Sequence, residues 1–342
     1  MIFDDPILGG LLGDDTMLAL WSSKRQLQHM LAFEAAWSRA LGDETGAAAI
    51  EQVKLDVEAI RVGMSKDGVP IPALVRQLKA IAGPDVHKGA TSQDVIDTAL
   101  SLTLRETSDA LDKRLAALGD ALAALAHTHG DARMMGRTRM QAAMPITVQN
   151  RIASWATPLA DHRARLKALR PQVERVQIGG PAGDRAGIAP SVVSAVAQSL
   201  DLEATDRAWH SQRDGIGAYG SWLSLVTGTL GKLGQDICLM AQQGVDEIAL
   251  AGGGGSSAMA HKSNPVLAEL LVTLARFNAA QLGGLHQALV HEQERSGAAW
   301  TLEWMILPQM AAATGRALSA ASELISKIER IGSGAAARRT DG

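Results

Sequence analysis

The sequence predicts an all-α protein: a small N-terminal helical domain followed by an elongated bundle of five long helices. Three observations predict it. Aromatic residues are only 3% of 342 residues, at seven Trp, three Phe and one Tyr, and the aromatic and β-branched runs that mark strands are scarce. The apolar mass is mostly Ala, Leu, Val, Ile and Met, and Ala and Leu are strong helix formers. Apolar residues also recur in alternating steps of three and four. Leu111, Leu115, Leu118, Leu122 and Leu125 make one seam. Ile216, Tyr219, Leu223, Val226, Leu230, Leu233, Ile237 and Met240 make a second. A seven-residue period is the mark of helices packed in a bundle.

Residues 1–90 read as the N-terminal domain. Its helices are short, over 24–42, 45–62 and 71–82, and are punctuated by Gly63, Pro70, Pro72 and the pair Gly83–Pro84. Residues 91–331 read as the bundle, with helices over 92–128, 146–177, 213–248, 264–294 and 299–329. At 1.5 Å per residue each is roughly 45–55 Å long, longer than a small globule is wide, so partners are expected to cover what one chain leaves open. Residues 332–342, GSGAAARRTDG, read as a disordered tail.

Composition excludes several roles. The net charge is −3, from 33 basic and 36 acidic residues, which gives no support to a nucleic-acid or membrane-surface partner. The single cysteine, Cys238, rules out an internal disulfide framework and any multi-cysteine metal site, and it fits a reducing cytoplasm. The opening MIFDDPILGG lacks a basic stretch before an apolar core, so it does not read as a secretory signal. No run of about 18 apolar residues goes unbroken by a charged or polar residue, so no membrane span is expected. His87, His127, His129, His210, His261, His286 and His291 are scattered, and 127 and 129 do not share a helix face, so no metal site is expected. The four glycines at 252–255 follow no predicted strand, so they do not read as a dinucleotide loop. No cofactor is expected.

Four polar, glycine-rich segments interrupt the helices, and loops between rigid elements are where chemistry tends to sit. In VHKGATSQDVIDTA (86–99), Thr91, Ser92 and Asp94 can cap the long helix that follows. Its free N–H groups, with His87 and the hydroxyls, could also face an anion. In GRTRMQAAMPIT (136–147), Pro145 and Thr147 suit a helix opening, and Arg137, Thr138 and Gln141 are candidate carboxylate or amide contacts. WHSQRD (209–214) carries His210, a packed, capping or functional histidine. In GGGGSSAMAHKSNPVLAE (252–269) a glycine strip with two serines leads through Lys262 and Asn264 to Pro265, suited to a first helical turn. That arrangement is a plausible lid over an anionic ligand.

The stretch Gly255-Ser256-Ser257-Ala258-Met259-Ala260-His261-Lys262-Ser263-Asn264-Pro265 resembles the G-S-S-x-M-P-x-K-x-N-P signature of the fumarase/aspartase superfamily, with Ala260 in place of proline. The other three segments resemble that superfamily's remaining active-site blocks, in order, and the resemblance runs from about residue 20 to about 330. WHSQRD and HEQERSGAAWTLEW (291–304) look most like the branch of 3-carboxy-cis,cis-muconate cycloisomerases and adenylosuccinate lyases. The resemblance implies a homotetramer with a core of shared long helices, and active sites built from three subunits. It also implies a further helical domain to which nothing in this sequence corresponds. Ser256 would be the proton-transferring group and His87 a second catalytic residue. Thr91, Ser92, Gln93, Arg137, Thr138, Arg139, Gln141, Lys262, Asn264 and Arg295 would hold the substrate, with Arg213 a lesser candidate.

The resemblance implies chemistry at the carbon β to a carboxylate, through an aci-carboxylate held by preorganised donors. Amine-releasing relatives carry a histidine acid where this sequence has Arg139. An amine must be protonated as it leaves, whereas a carboxylate with a pKa of about 4 need not be. Arg139 therefore favours lactonisation of a small tricarboxylate. The alternatives are an adenylosuccinate-type lyase releasing fumarate, and a non-catalytic helical assembly protein of the same fold. Retention of Ser256, Lys262 and Asn264 speaks against the last.

Overall fold

A computed structural model describes residues 2–252, 254–255 and 263–333. Ser256, Lys262 and residues 334–342 of the expected tail lie outside the described residues. The N-terminal part holds α1 (Gly9–Leu12), α2 (Asp15–Leu20), α3 (Ser23–Ala40), α4 (Glu44–Glu51), α5 (Val57–Asp67) and α6 (Ile71–Ala82). Then come α7 (Ser92–His129), the strands β1 (Arg133–Thr138) and β2 (Gln141–Thr147), α8 (Val148–Val173) and α9 (Pro190–Leu200). The chain continues through α10 (Asp214–Met240), β3 (Ile248–Leu250), α11 (Val266–Gln287), α12 (Ala298–Ser326) and β4 (Ile328–Ile331).

Both apolar seams are buried. Leu111, Leu115, Leu118, Leu122 and Leu125 line the inner face of α7, and the eight seam residues from Ile216 to Met240 line that of α10. The two belong to one core with Trp155, Leu159 and Leu166 of α8, Leu271 and Leu274 of α11, and Leu307, Met310 and Leu318 of α12. Small residues let the helices approach closely. A Cβ on Gly234 of α10 would lie 2.5 Å from the Ala268 carbonyl oxygen of α11. On α12, Ala311, Ala312, Ala313, Ala317, Ala320 and Ala321 are all buried. A second core joins Phe33, Trp37, Ile50, Ile71, Leu74 and Leu78 of the N-terminal helices to Val95, Ala99 and Leu102 of α7, Val176 and Ile178, and Val193 and Val196 of α9.

Several expectations need adjustment. The helix expected over 45–62 is two, α4 and α5, because Asp56 caps a fresh start by accepting from the Ala59 amide. The helix expected over 213–248 ends at Met240, and the one over 264–294 ends at Gln287. The segment 136–147 is not a loop that opens into a helix. It is most of an antiparallel hairpin whose closing pair, Thr138 and Gln141, leaves Arg139 and Met140 as a two-residue turn. Both turn residues have positive φ, 49° and 67°, which is what a tight hairpin turn with the right-handed strand twist requires. Thr147 does cap the following helix, α8, through its bond from the Asn150 amide. The short strands β3 and β4, α1, α2 and α9 were also not foreseen, and β3 pairs antiparallel with β4.

Between α8 and α9 an extended stretch lies against the first turns of α7. Its backbone polar groups are satisfied by that helix: Thr98 Oγ1 donates to the Gln177 carbonyl and accepts from the Gln177 amide, and Ser101 Oγ donates to the Arg175 carbonyl. This accounts for the burial of the Thr98 and Ser101 hydroxyls in the first turns of α7.

At the same end, Arg213 lies fully buried just before α10. Its guanidinium reaches Asp97 of α7 from Nη1 at 2.7 Å and Nη2 at 3.1 Å. It reaches Glu303 of α12 from Nε at 2.8 Å and Nη2 at 2.5 Å. Trp300 Nε1 and Gln93 Nε2 donate to the same Asp97 carboxylate, and the Trp209 ring lies 4.8 Å from the guanidinium carbon. Burial works against the cation, but the two carboxylates outweigh it and hold Arg213 above the usual arginine value. Burial likewise works to raise Glu303, and the Arg213 charge overcomes it and holds the carboxyl low.

Arg213→Met should therefore destabilise the protein by about 3–5 kcal/mol, because two buried carboxylates would lose their cation. Thermal unfolding checks this, and a loss within experimental error would contradict it. A second expectation concerns His162, buried between α8 and α10 with Nε2 2.8 Å from Thr229 Oγ1. Burial, reinforced by Arg165, pushes its pKa from 6.5 down to about 4. The unfolded chain then binds the proton more readily, so this contribution is complete above pH 6.5 and is lost as pH falls towards 4. Its slope is at most about 1.4 kcal/mol per pH unit. His162→Gln should flatten the fall of Tm between pH 6.5 and 4 relative to the parent protein.

Candidate active site

The candidate residues fall into two groups at opposite ends of the bundle. The first gathers at the start of α7. Thr91 caps the helix in a capping box: its amide donates to Asp94 Oδ2 at 3.0 Å, and its side chain faces the third helical amide. The buried Asp94 carboxylate also accepts from the Gly179 amide at 2.8 Å, the Gly180 amide at 3.0 Å and His210 Nε2 at 2.9 Å. Asp94 thus pins the glycine loop after Ile178 and the WHSQRD segment against the helix start. His210 is buried, with Nδ1 lacking any partner among the described residues.

Gln93 is fully buried, and its amide group is committed to the protein. Its Nε2 donates to the His210 carbonyl at 2.9 Å and to Asp97, and its Oε1 accepts from Arg295 Nε at 3.0 Å. Arg295, from the connection between α11 and α12, also reaches the Pro181 carbonyl at 3.3 Å. The structure brings Arg295 and Gln93 together as a contact pair. Ser92, in the first turn of α7, is half-buried. His87 lies in the lead-in to α7, with Nδ1 2.7 Å from Oε1 of Glu34 on α3.

The second group lies past the far end of α7, whose 38 residues correspond to a rod of about 55 Å. Arg137 of β1 donates from Nη1 to Glu247 Oε2 at 2.7 Å, and Glu247 Oε1 accepts from the Met135 amide. Thr138 and Gln141 flank the hairpin turn and are exposed, as is Arg139 within it. Asn264 closes the neck of the glycine-rich loop: its backbone exchanges two 2.9 Å hydrogen bonds with Gly254. A cavity of about 250 Å³ beside the neck is lined by Leu250, Asn264, Pro265, Glu323 and Lys327, among others. Lys262 and Ser256 belong to the loop that this neck closes and lie outside the described residues.

Distance separates the groups within one chain. The neck stands at the C-terminal end of α10, and Arg213 at its N-terminal end, about 40 Å away along its 27 residues. A loop closed between Gly254 and Asn264 reaches out at most about 16 Å, at about 3.5 Å per residue out and back. No metal-binding group of three or more His, Cys, Asp or Glu occurs among the described residues, and no helix there is long and apolar enough to cross a membrane.

Several residues at the site were not singled out from sequence. Asp97 and Glu303 are acids within apolar runs, and Glu34 lies in the middle of a helix. Their partners stand far away in the chain, and only the fold brings them together. Asp94, by contrast, is legible from sequence as a capping acid, three residues after Thr91 at a helix start.

Comparison with known proteins agrees with this architecture. Residues 65–280 match the family described as Lyase, which belongs to the fumarase/aspartase superfamily. The chain is 36% identical over 335 residues to a 3-carboxy-cis,cis-muconate cycloisomerase of Pseudomonas aeruginosa, covering 92% of this chain and 73% of that protein. It superposes with a TM-score of 0.90 on the crystal structure of 3-carboxy-cis,cis-muconate lactonizing enzyme from Pseudomonas putida, at 34% identity over 95% of this chain and 77% of the other. A fumarate lyase from Mesorhizobium sp. BNC1 gives a TM-score of 0.86 at 32% identity, over 93% of this chain and 76% of that one. The helical architecture, the matched family and these relatives together place the chain in the lyase family of the fumarase/aspartase superfamily.

Proposed function

We propose that this chain is a 3-carboxy-cis,cis-muconate cycloisomerase of aromatic-acid breakdown in the cytoplasm, which closes the triacid to 4-carboxymuconolactone. The observation that carries the reading is its likeness to the Pseudomonas putida lactonizing enzyme, at 34% identity over 95% of the chain. Arg139, where a histidine acid would serve an amine-releasing lyase, adds to it.

In this reaction a carboxylate oxygen of the substrate adds to the alkene carbon β to another carboxylate. The electron pair moves into that carboxylate and makes the aci-carboxylate. A proton then returns to the α-carbon, so the formula is unchanged. The attacking group is internal, and the site need only hold the triacid in a folded, near-attack shape. Ser256 transfers the proton, and its hydroxyl needs a nearby positive field for activation. Lys262 and the free amides at the start of α11 supply that field. Arg137, Thr138, Arg139 and Gln141 hold one carboxylate. His87, Thr91, Ser92 and Arg295 hold another, with Gln93 fixing Arg295 through its amide.

These groups lie at opposite ends of one chain, and the loop reach of about 16 Å is far short of the separation. The active site is therefore composed between subunits of a homotetramer, the start of α7 from one chain meeting the hairpin and glycine-rich loop of others. The second reading is a lyase releasing fumarate from an adduct such as adenylosuccinate. The likeness to the Mesorhizobium fumarate lyase favours it.

The purified protein should bleach the diene absorbance of 3-carboxy-cis,cis-muconate and leave adenylosuccinate and argininosuccinate untouched. Efficient fumarate release from adenylosuccinate would promote the second reading. Ser256→Ala should lower turnover by on the order of 10²–10⁴, with helical circular dichroism and oligomer size unchanged. Near-normal turnover would remove Ser256 from the mechanism. Co-assembly of His87→Ala and Ser256→Ala subunits should restore part of the activity that each lacks alone. Failure in mixtures shown to exchange subunits would contradict the shared site.

A further inference from the structure

Glu34 is a buried acid that no step above uses. It lies on α3 with no solvent exposure, its Oε1 is 2.7 Å from His87 Nδ1, and its Oε2 has no hydrogen-bond partner among the described residues. An unpaired carboxylate oxygen in a core costs free energy, so its retention calls for an explanation beyond packing. Trp37, three residues along the same face of α3, donates from Nε1 to the Lys88 carbonyl at 3.0 Å. Helix α3 therefore grips the lead-in loop at two consecutive residues. The gripped His87 has φ of 65°. Histidine tolerates that left-handed conformation better than most residues, and the two contacts from α3 hold it there. The clamp and the unpaired acid converge on one imidazole, whose side chain keeps 16% of its surface exposed.

A carboxylate only accepts, so Nδ1 carries the hydrogen, and Nε2 is the nitrogen without a partner among the described residues. A carboxylate behind an imidazole fixes its tautomer and rotation. We propose that Glu34 is a positioning residue: it holds His87 with Nδ1 protonated and Nε2 presented to a substrate carboxylate at the start of α7. The substrate part of this proposal rests on the placement of His87 in the active site argued above.

Glu34→Gln keeps an acceptor of the same shape and removes the charge. It should lower kcat/KM by about 10–100-fold, as expected for the loss of one charge-assisted hydrogen bond, with Tm little changed. Glu34→Asp should recover part of the loss. In a His87→Asn background, Glu34→Gln should change kcat/KM no further. Losses that multiply in the double variant would show that Glu34 acts on something other than His87, and would overturn the proposal. The tautomer gives a readout that needs no turnover. In protein labelled with ¹⁵N-histidine, the His87 signal, identified by its loss in His87→Asn, should report Nδ1–H in the parent and a mixture in Glu34→Ala. An Nε2–H tautomer in the parent would overturn the proposal by itself. Parent protein inert towards the muconate triacid would defeat the assigned reaction and leave the imidazole result to decide on Glu34.

Discussion

The buried guanidinium of Arg213 is the contact on which the rest of the site depends. It closes one end of the bundle by joining Asp97 of α7 to Glu303 of α12 at the point where α10 begins. Three helices that meet elsewhere through apolar seams meet here through charge. Apolar packing is non-directional and tolerates sliding of one helix along another. A guanidinium that forks onto two carboxylates does not, because its donors have fixed directions. The start of α7, with Asp94 one turn before Asp97, is set in register by this node. Gln93, which touches both Asp97 and Arg295, extends that register to the connection between α11 and α12.

The second constraint is length. Rigid helices place chemistry with precision, but they also keep their two ends apart. The start of α7 carries an acid-backed imidazole and a capped helix terminus, while the far end carries a hairpin and the neck of a loop. Neither group holds, alone, both the capped start of α7 and the neck of the serine-bearing strip. Within the chain, the small residues of α10 and α12 let these rods approach closely.

Much of this was legible in the sequence. Burial along α7 and α10 is periodic, so seams from Leu111 to Leu125 and from Ile216 to Met240 could be traced from spacing alone. The hairpin was not legible, because the usual turn signal is Asn-Gly or Asp-Gly, and here Arg139 and Met140 take the left-handed conformations instead. The buried acids were illegible for another reason. Asp97, Glu303 and Glu34 each look like a polar interruption of an apolar pattern, and only tertiary structure tells a solvated acid from a paired one. Arg213 and Asp97 are 116 positions apart, and local patterns carry no information at that range. The family motifs, by contrast, were visible because loops concentrate their chemistry into short contiguous stretches.

The exposed hairpin turn bears on how such a protein could change over time. Position 139 is where the sequence departs from the histidine of amine-releasing relatives, and it sits at a solvent-facing tip with none of the core resting on it. Its backbone is in a region where histidine is more at home than most residues. Exchange of Arg for His there would leave every seam and the buried guanidinium node untouched. A lineage could therefore vary this position with little threat to folding. The residues that hold the architecture and this turn position are mechanically uncoupled, and selection can act on one without first having to repair the other.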